Sequence, residues 1–237
     1  MSKKKKMIIC FIIGMMGCLC FGGGDWLMAY GDFEHTGSIW WLTQGVAEIS
    51  VARNSAAMAL AFPGIIFYAI GLFGAAGAIK DSKERRIYRI LNIFGLTPWL
   101  CLHIFYVELL NTYAVMYQNG LSASADIVCE GVFGNLSWIV MLSEALMLPP
   151  FIYWMYLQIR GRTYFPRMFV LSPGNVLFTY AILYVVKMLL PESAFRVGFT
   201  NGLMSESMIF WFAWLLIFTC RNKDGILDGE KTLTILP

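Results

Sequence analysis

Residues 3–35 read KKKKMIICFIIGMMGCLCFGGGDWLMAYGDFEH. Four lysines precede an apolar run, which ends in three glycines and a segment that contains two aspartates, a glutamate and a histidine. Acidic groups close to hydrocarbon are costly, and they usually mark a functional site with a partner or a wet cavity. Consecutive glycines permit a sharp bend, so we expect the chain to bend at Gly22–Gly24 and to place Asp25 and Asp32 at a polar site.

The alternation of apolar blocks with short polar segments continues through all 237 residues. Hydrophobic residues make up 58% of the chain and charged residues only 14%, whereas charged residues reach about 25% in soluble domains. The apolar blocks are about 20 residues long, which is the length of a helix that crosses a bilayer core of about 30 Å. The composition therefore predicts an all-α membrane protein, with the lipid bilayer as its surroundings and no nucleic-acid partner.

We predict a single integral membrane domain, 1–237, built as a six-helix transmembrane bundle with an outer interfacial or re-entrant segment between helices 1 and 2. The predicted spans are about 6–24, 55–79, 88–117, 131–157, 173–190 and 203–220, and a short tail follows at 221–237. We favour an uncleaved first helix over a signal peptide. The expected N-caps are Asn54 or Ser55 for the second helix, Asp81 for the third, Ser172 for the fifth and Asn201 for the sixth.

The basic residues predict the orientation of this bundle. If the N-terminus is cytoplasmic, only Arg53, Lys187 and Arg196 among the 18 lysines and arginines fall on the outer side. Cytoplasmic loops of membrane proteins carry an excess of Lys and Arg. We therefore predict that both termini are cytoplasmic in a multi-pass protein of the cell membrane.

Small residues in the second span predict a close helix contact. Gly71, Gly74 and Ala75 lie on one side of the helix, where small residues let two helix backbones approach. We expect this seam to pack against another helix and the neighbouring Phe73 to face lipid.

Polar residues at membrane depth predict a ligand cavity that opens outward. Glu144 is the clearest case, because it lies in the middle of an apolar span, where a carboxyl must be protonated, paired or exposed to water. Lys187 and Glu206 lie nearer the interface, where anchoring at the membrane surface explains them equally well. The residues expected to line the cavity are Asp25, Asp32, His103, Glu108, Asn111, Ser137, Glu144, Tyr184, Lys187 and Glu206.

Three functions remain open at this point. The first is binding or transport of a small amphiphile, lipid or ion in the outward cavity. The second is an intramembrane enzyme that acts on a lipid-like substrate, with Glu108 or Glu144 as base and His103 as acid. The third is a structural partner in a membrane complex. We predict no cofactor and no metal site, because the two histidines lack the spacing of metal ligands.

The stretches Gly24–Leu27, Tyr30–Asp32, Trp41–Leu42 and Phe62–Gly64 resemble a family of uncharacterised bacterial integral membrane proteins. The resemblance implies a bacterial cytoplasmic membrane and directs attention to Asp25 and Asp32. It implies no activity.

Overall fold

The computed structural model of the protein describes residues 1–31 and 46–222, with only the backbone at Leu100. Its helices are α1 (Lys3–Ala29), α2 (Val51–Ala75), α3 (Ser82–Gln118), α4 (Ser122–Ile159), α5 (Val176–Leu189) and α6 (Ala194–Arg221). Short 3₁₀ helices lie at Val46–Glu48, Ala76–Ala78 and Arg167–Leu171. Within the described residues, six stretches are long and apolar enough to cross a membrane. The predicted all-α six-helix membrane fold is therefore confirmed.

Two predicted parts lie outside the described residues. They are most of the interfacial or re-entrant segment, at 32–45, and most of the tail, at 223–237. The fifth apolar stretch comprises α5 together with the 3₁₀ helix that precedes it.

The helix starts show which polar residues act as N-caps. The Asp81 prediction is confirmed, because its carboxylate accepts a 2.9 Å hydrogen bond from the backbone N–H of Glu84. The other three predictions were wrong, and α2, α5 and α6 have the N-caps Ser50, Asn175 and Ser193. Ser172 instead closes the turn before α5, since its hydroxyl bonds the backbone of Phe169 and Gly174. Asn201 lies inside α6, where its amide donates to the Val197 carbonyl.

The basic loops and the chain ends meet at one end of the bundle, which we call the basic end. The loops before α3 and before α5 pair through Lys80 and Arg162, whose backbone N–H and carbonyl are 3.0 Å apart. The Arg162 guanidinium also forms an ion pair with Glu84. The hydrogen bond and the charge of Glu84 raise the pKa of Arg162. At the start of α1, the Lys4 ammonium donates to the Asn222 carbonyl just beyond α6.

The seam on α2 packs against α1, as predicted. A Cβ on Gly71 would lie 2.6 Å from the Cα of Gly14, and a Cβ on Gly74 would meet Cys10. Small residues therefore allow the two helix backbones to touch. Phe73, predicted to face lipid, is half-buried: its ring packs against the main hydrophobic core, and the residue also lines an open groove on the bundle surface.

A single backbone carbonyl connects three helices near the centre of that core. Gly174, in the turn before α5, accepts hydrogen bonds from the indoles of Trp154 and Trp211 and from the amide of Gln158, at 3.4, 3.0 and 3.0 Å. These donors come from α4 and α6. All three are fully buried, so the shared acceptor satisfies groups that would be costly to leave unpaired.

The helices α3 and α4 are longer than a bilayer core is thick. With 37 and 38 residues, each is about 55 Å long, against a hydrocarbon core of about 30 Å. They join through Gly120, whose φ of 77° suits a residue without a side chain. The Gln118 amide donates to the carbonyls of Ala47 and Ile49, which attaches the segment before α2 to this hairpin.

Candidate functional site

The helix α1 delivers Asp25 to the interior of the bundle. The bend expected at Gly22–Gly24 does not occur, since α1 is one helix through Ala29. The glycines serve close packing instead. A Cβ on Gly24 would lie 3.0 Å from the Ala57 carbonyl of α2, and one on Gly22 would lie 3.0 Å from the Ser205 Cβ of α6. As a result, Asp25 is buried, with 8% of its surface exposed.

Asp25 faces His103 of α3, another predicted site residue. An Asp25 carboxylate oxygen lies 3.9 Å from Nδ1 of His103, and both side chains are largely buried. The imidazole packs on Phe21, with ring centroids 4.0 Å apart. Its Nε2 has no hydrogen-bond partner among the described residues. The contact resembles an orienting carboxylate beside an imidazole, enclosed by aromatic rings.

Glu206 of α6 reaches the same region through Trp26. The Trp26 indole N–H donates a 2.9 Å hydrogen bond to the Glu206 carboxylate. The indole lies across two glycines one turn apart, because a Cβ on Gly198 or Gly202 would fall within 2.7 Å of its ring. The other Glu206 oxygen is buried without a partner in the described part of the chain. Glu206 of α6 is therefore tied to α1 through this hydrogen bond.

Asn111 forms a separate polar contact between helices. Its side-chain oxygen accepts a 3.3 Å hydrogen bond from the Asn54 amide of α2. Asn54 is almost completely buried. The contact ties α2 to α3 and leaves no charge to bind a ligand.

Glu144 lies in a different place, in a pocket between helices that we call the lateral pocket. Its volume is about 500 Å³, and the exposed Glu144 carboxylate and the hydroxyl of Tyr180 supply its polar groups. The remaining lining is apolar: Trp99, Met141, Ala145, Met147, Leu148, Val176, Leu177 and Met204. None of the other described cavity candidates lines it.

Position along α4 puts Glu144 within the length of one membrane span from the basic end. Glu144 is 16 residues before Arg160 at the basic end, which corresponds to about 24 Å of helix. A core of about 30 Å would contain that depth. Met141 and Leu148, on the rim, are exposed on the outside of the bundle, so the pocket opens sideways towards lipid.

The remaining described candidates do not line the lateral pocket, although the ring of Tyr184 stacks on that of Tyr180, with centroids 6.5 Å apart. Glu108 is exposed. The Ser137 hydroxyl donates to the Gly134 carbonyl of its own helix. The Lys187 ammonium lies 5.2 Å from the centre of the Tyr184 ring, near the end of α5. Asp32 lies outside the described residues. The candidates are thus divided, with Asp25, His103 and Glu206 in one buried cluster and Glu144 in the lateral pocket.

Trp99 connects the two groups. It lines the lateral pocket, and its ring packs against Phe21 and His103, with centroids 4.8 and 6.5 Å away. Trp99, Trp26 and Tyr180 were absent from the predicted set. The Gly198, Gly202 and Glu206 spacing of four residues was a signal for the indole groove, because such positions lie on one face of a helix.

The described residues contain no group of three or more His, Cys, Asp or Glu side chains able to hold a metal ion. The acidic and imidazole groups present are suited to hydrogen bonding, proton exchange and attraction of a cation.

Comparison with known proteins places the chain in a family. Neither the curated proteins nor the solved structures that were compared include a match. A family model described as a family of unknown function, DUF6796, matches residues 1–222. This range includes all six helices. The chain therefore belongs to the DUF6796 family of unknown function.

Proposed function

We propose that the protein binds a small amphiphile with a cationic amine head in the lateral pocket. One observation carries the proposal: the Glu144 carboxylate lies at membrane depth in a pocket that is otherwise almost entirely apolar. A carboxylate in such surroundings requires a proton, a partner or water. An amine head with an apolar body supplies both the partner and the surface that fits the walls.

The shape and composition of the lateral pocket support a small ligand. A volume of about 500 Å³ falls in the range of small-molecule sites, which are mostly apolar with a few fixed polar groups. Three of the lining residues are methionines, whose flexible side chains adapt to ligands of different shape. The sideways opening allows a ligand to enter from the bilayer. Whether it is carried across the membrane is a separate step.

The test is ligand-dependent stabilisation of the purified protein in detergent. Dodecylamine serves as the probe and dodecanol as the uncharged control. We expect the amine to raise the unfolding temperature more than the alcohol does. Glu144→Gln should weaken the apparent affinity for the amine about tenfold or more, because it removes the opposite charge at the head.

Glu108→Gln is the matched control, since Glu108 is an exposed membrane-helix carboxylate that does not line the lateral pocket. It should leave the response to the amine unchanged. Equal stabilisation by amine and alcohol, or an equal loss in the two variants, would contradict the proposal. If Glu144→Gln responded to the amine as the wild type does but lost a co-purifying partner protein, the result would instead favour a structural role.

Acid–base chemistry is a second candidate, and the Asp25–His103 contact of 3.9 Å favours it. Asp25 occupies the position beside His103 that the sequence assigned to Glu108 or Glu144. An imidazole and a carboxylate in contact are the usual components of proton transfer. If this function holds, Asp25→Asn and His103→Gln should each abolish a pH-dependent turnover of a lipid-like substrate, while Glu108→Gln should not.

We further propose that the basic end faces the cytoplasm, from the asymmetry of Lys and Arg. Two serines provide a matched test, because Ser82 and Ser122 are both exposed and are the first residues of α3 and α4. In a cysteine-free background in intact cells, a membrane-impermeant thiol reagent should label Ser122→Cys and not Ser82→Cys. The reverse pattern would overturn this orientation.

A further inference from the structure

We propose that a groove at the basic end binds an anionic glycerophospholipid. The groove lies between the start of α1, the second half of α2 and the start of α3, and its volume is about 750 Å³. Its lining consists of Lys3, Lys6, Met7, Cys10, Ile65, Ile66, Ala69, Ile70, Phe73, Gly74, Gly77, Arg85 and Arg89. We call it the basic groove. It is separate from the lateral pocket and shares none of its residues.

The charges in the basic groove are all positive. Four of its lining residues are lysine or arginine, and none of its described lining residues is acidic. Lys6 and Arg89 are exposed, and neither forms an ion pair with the described residues. Arg85 donates to the carbonyls of Ile79 and Lys80, which positions its guanidinium without neutralising it. A phosphate is the complementary group, because guanidinium and ammonium donors bind its oxygens with charge assistance.

The apolar wall of the basic groove identifies the rest of the ligand. The wall starts near the basic rim and continues along α2 towards the middle of the membrane. From the rim inwards it consists of Phe73, Ile70, Ala69, Ile66 and Ile65. From Gly77 to Ile65 the helix rises about 18 Å, which is close to the depth of one leaflet of a core about 30 Å thick. A free phosphate would use only the basic rim. A lipid places its phosphate at the rim and an acyl chain along the wall.

The short side chain of Ala69, at the centre of the apolar wall, leaves space that an acyl chain would occupy. Gly74 and Gly77, nearer the basic rim, pack against Cys10 and Met7 of α1 and form the floor of the groove there. Basic sites between transmembrane helices attract anionic lipids at the membrane surface. Such a lipid would fill the gap between α1, α2 and α3 and neutralise the cations beside it.

The experiment measures association of spin-labelled lipid with the full-length protein in membranes. We expect phosphatidylglycerol to bind more tightly than phosphatidylcholine with the same chains. Lys6→Gln and Arg89→Gln should each lower the preference for phosphatidylglycerol about fivefold. Arg86→Gln is the matched control, because Arg86 is exposed on the same turn of α3 and does not line the groove. It should change the preference little.

A second variant separates a lipid from a free anion. Ala69→Trp should fill the apolar wall, leave the basic rim intact and abolish the preference for phosphatidylglycerol. Equal binding of the two lipids by the wild-type protein would overturn the proposal, as would an equal effect of Arg86→Gln and Arg89→Gln. Two results with inorganic phosphate would together contradict the lipid site and indicate a phosphate site. Phosphate would displace the lipid from the wild-type protein, and it would bind the Ala69→Trp variant as tightly as it binds the wild type.

Discussion

The helices α1 and α6 form a closely packed side of the bundle, whereas α4 and α5 form a more open side. In the most apolar stretch of α1 and of α6, 44% of residues are buried inside the protein, against 28% in α4 and 22% in the stretch formed by α5 and the 3₁₀ helix before it. Hydropathy does not account for this contrast. The apolar stretches of α5 and α6 have nearly equal mean hydropathy, 1.7 and 1.6, yet their burial differs twofold.

Small residues account for the contrast better. Gly14 and Gly17 on α1 touch α2, and Gly202 on α6 receives the Trp26 indole. On α4, by contrast, no described residue of another element lies within 4 Å of where a Cβ on Gly131 or Gly134 would be. Lipid tails solvate apolar side chains as well as another helix does, so close association depends on shape and on hydrogen bonds. The comparison teaches that glycine content alone does not identify a packed face, because α4 carries two glycines without a described neighbour at the Cβ position.

The two sides also hold different polar groups. The packed side encloses Asp25 and Glu206, which contact His103 and Trp26 respectively. The open side carries Glu144 at the edge of a pocket. A buried, partnered carboxylate contributes to the fold, whereas the exposed Glu144 carboxylate has no ion-pair partner among residues 1–31 and 46–222. This difference is the reason for placing the ligand at Glu144.

The largest expected effect is on the packed side, at Gly17. A Cβ there would lie 2.8 Å from the Phe67 carbonyl carbon and 2.9 Å from the Gly64 carbonyl oxygen. Because these are backbone atoms, they cannot rotate away. Gly17→Ala should therefore lower the free energy of unfolding by about 3 kcal/mol, measured by denaturant titration in detergent.

Gly134→Ala is the control on the open side. It replaces a helix-interior glycine whose added Cβ would have no neighbour within 4 Å in the described part of the chain, so it should be neutral or raise the free energy of unfolding by up to about 1 kcal/mol. Similar losses of stability at Gly17 and Gly134 would mean that the open side is packed in the folded protein, and the comparison would fail.

A smaller effect is expected for the indole hydrogen bond. Trp26→Phe keeps a ring over Gly202 but removes the donor to Glu206, so it should cost about 1–2 kcal/mol. Trp138→Phe is the matched change on α4, where the Trp138 side chain is 63% exposed. This substitution should lower the free energy of unfolding by less than about 0.5 kcal/mol. Thermal unfolding of the two variants beside the wild type gives the comparison. Equal costs would show that the bond to Glu206 adds nothing.

The sequence predicted those features that depend on local pattern. Apolar length and basic loops gave the six helices, and the Asp81 cap followed from its spacing to Glu84. The prediction that the seam at Gly71 and Gly74 packs against another helix was also correct, because small residues on one helix face usually serve close packing. Cap choice failed where several polar residues stood close together, as at Ser172 and Asn175.

The arrangement of the candidate site was only partly predictable, for a physical reason. Depth in the membrane follows from position along a helix, and two residues predicted for the same cavity, Asp25 and His103, lie 3.9 Å apart. Rotation about the helix axis does not follow, because an apolar helix in lipid has no strong hydrophobic face to orient it. Glu108 and Glu144 were therefore assigned to a common cavity, yet only Glu144 lines the lateral pocket. The contact of Trp26 with Glu206 likewise depends on the rotation of α6 about its own axis, which the sequence does not predict.

The smallest expected effect is on stability when two exposed carboxylates, Glu144 on the open side and Glu108 on α3, lose their charge. Glu144 and Glu108 are both exposed, and neither forms an ion pair with the described residues. Replacement by glutamine keeps the shape and leaves no buried group unpaired. We therefore expect Glu144→Gln and Glu108→Gln to change the free energy of unfolding by less than about 0.5 kcal/mol without added ligand. Denaturant titration at fixed detergent and lipid content measures it. If Glu144→Gln alone lowered the free energy of unfolding by more than about 1.5 kcal/mol, Glu144 would be a structural group that is paired with another helix. Unchanged stability, combined with the loss of amine binding, would instead assign this carboxylate to ligand recognition.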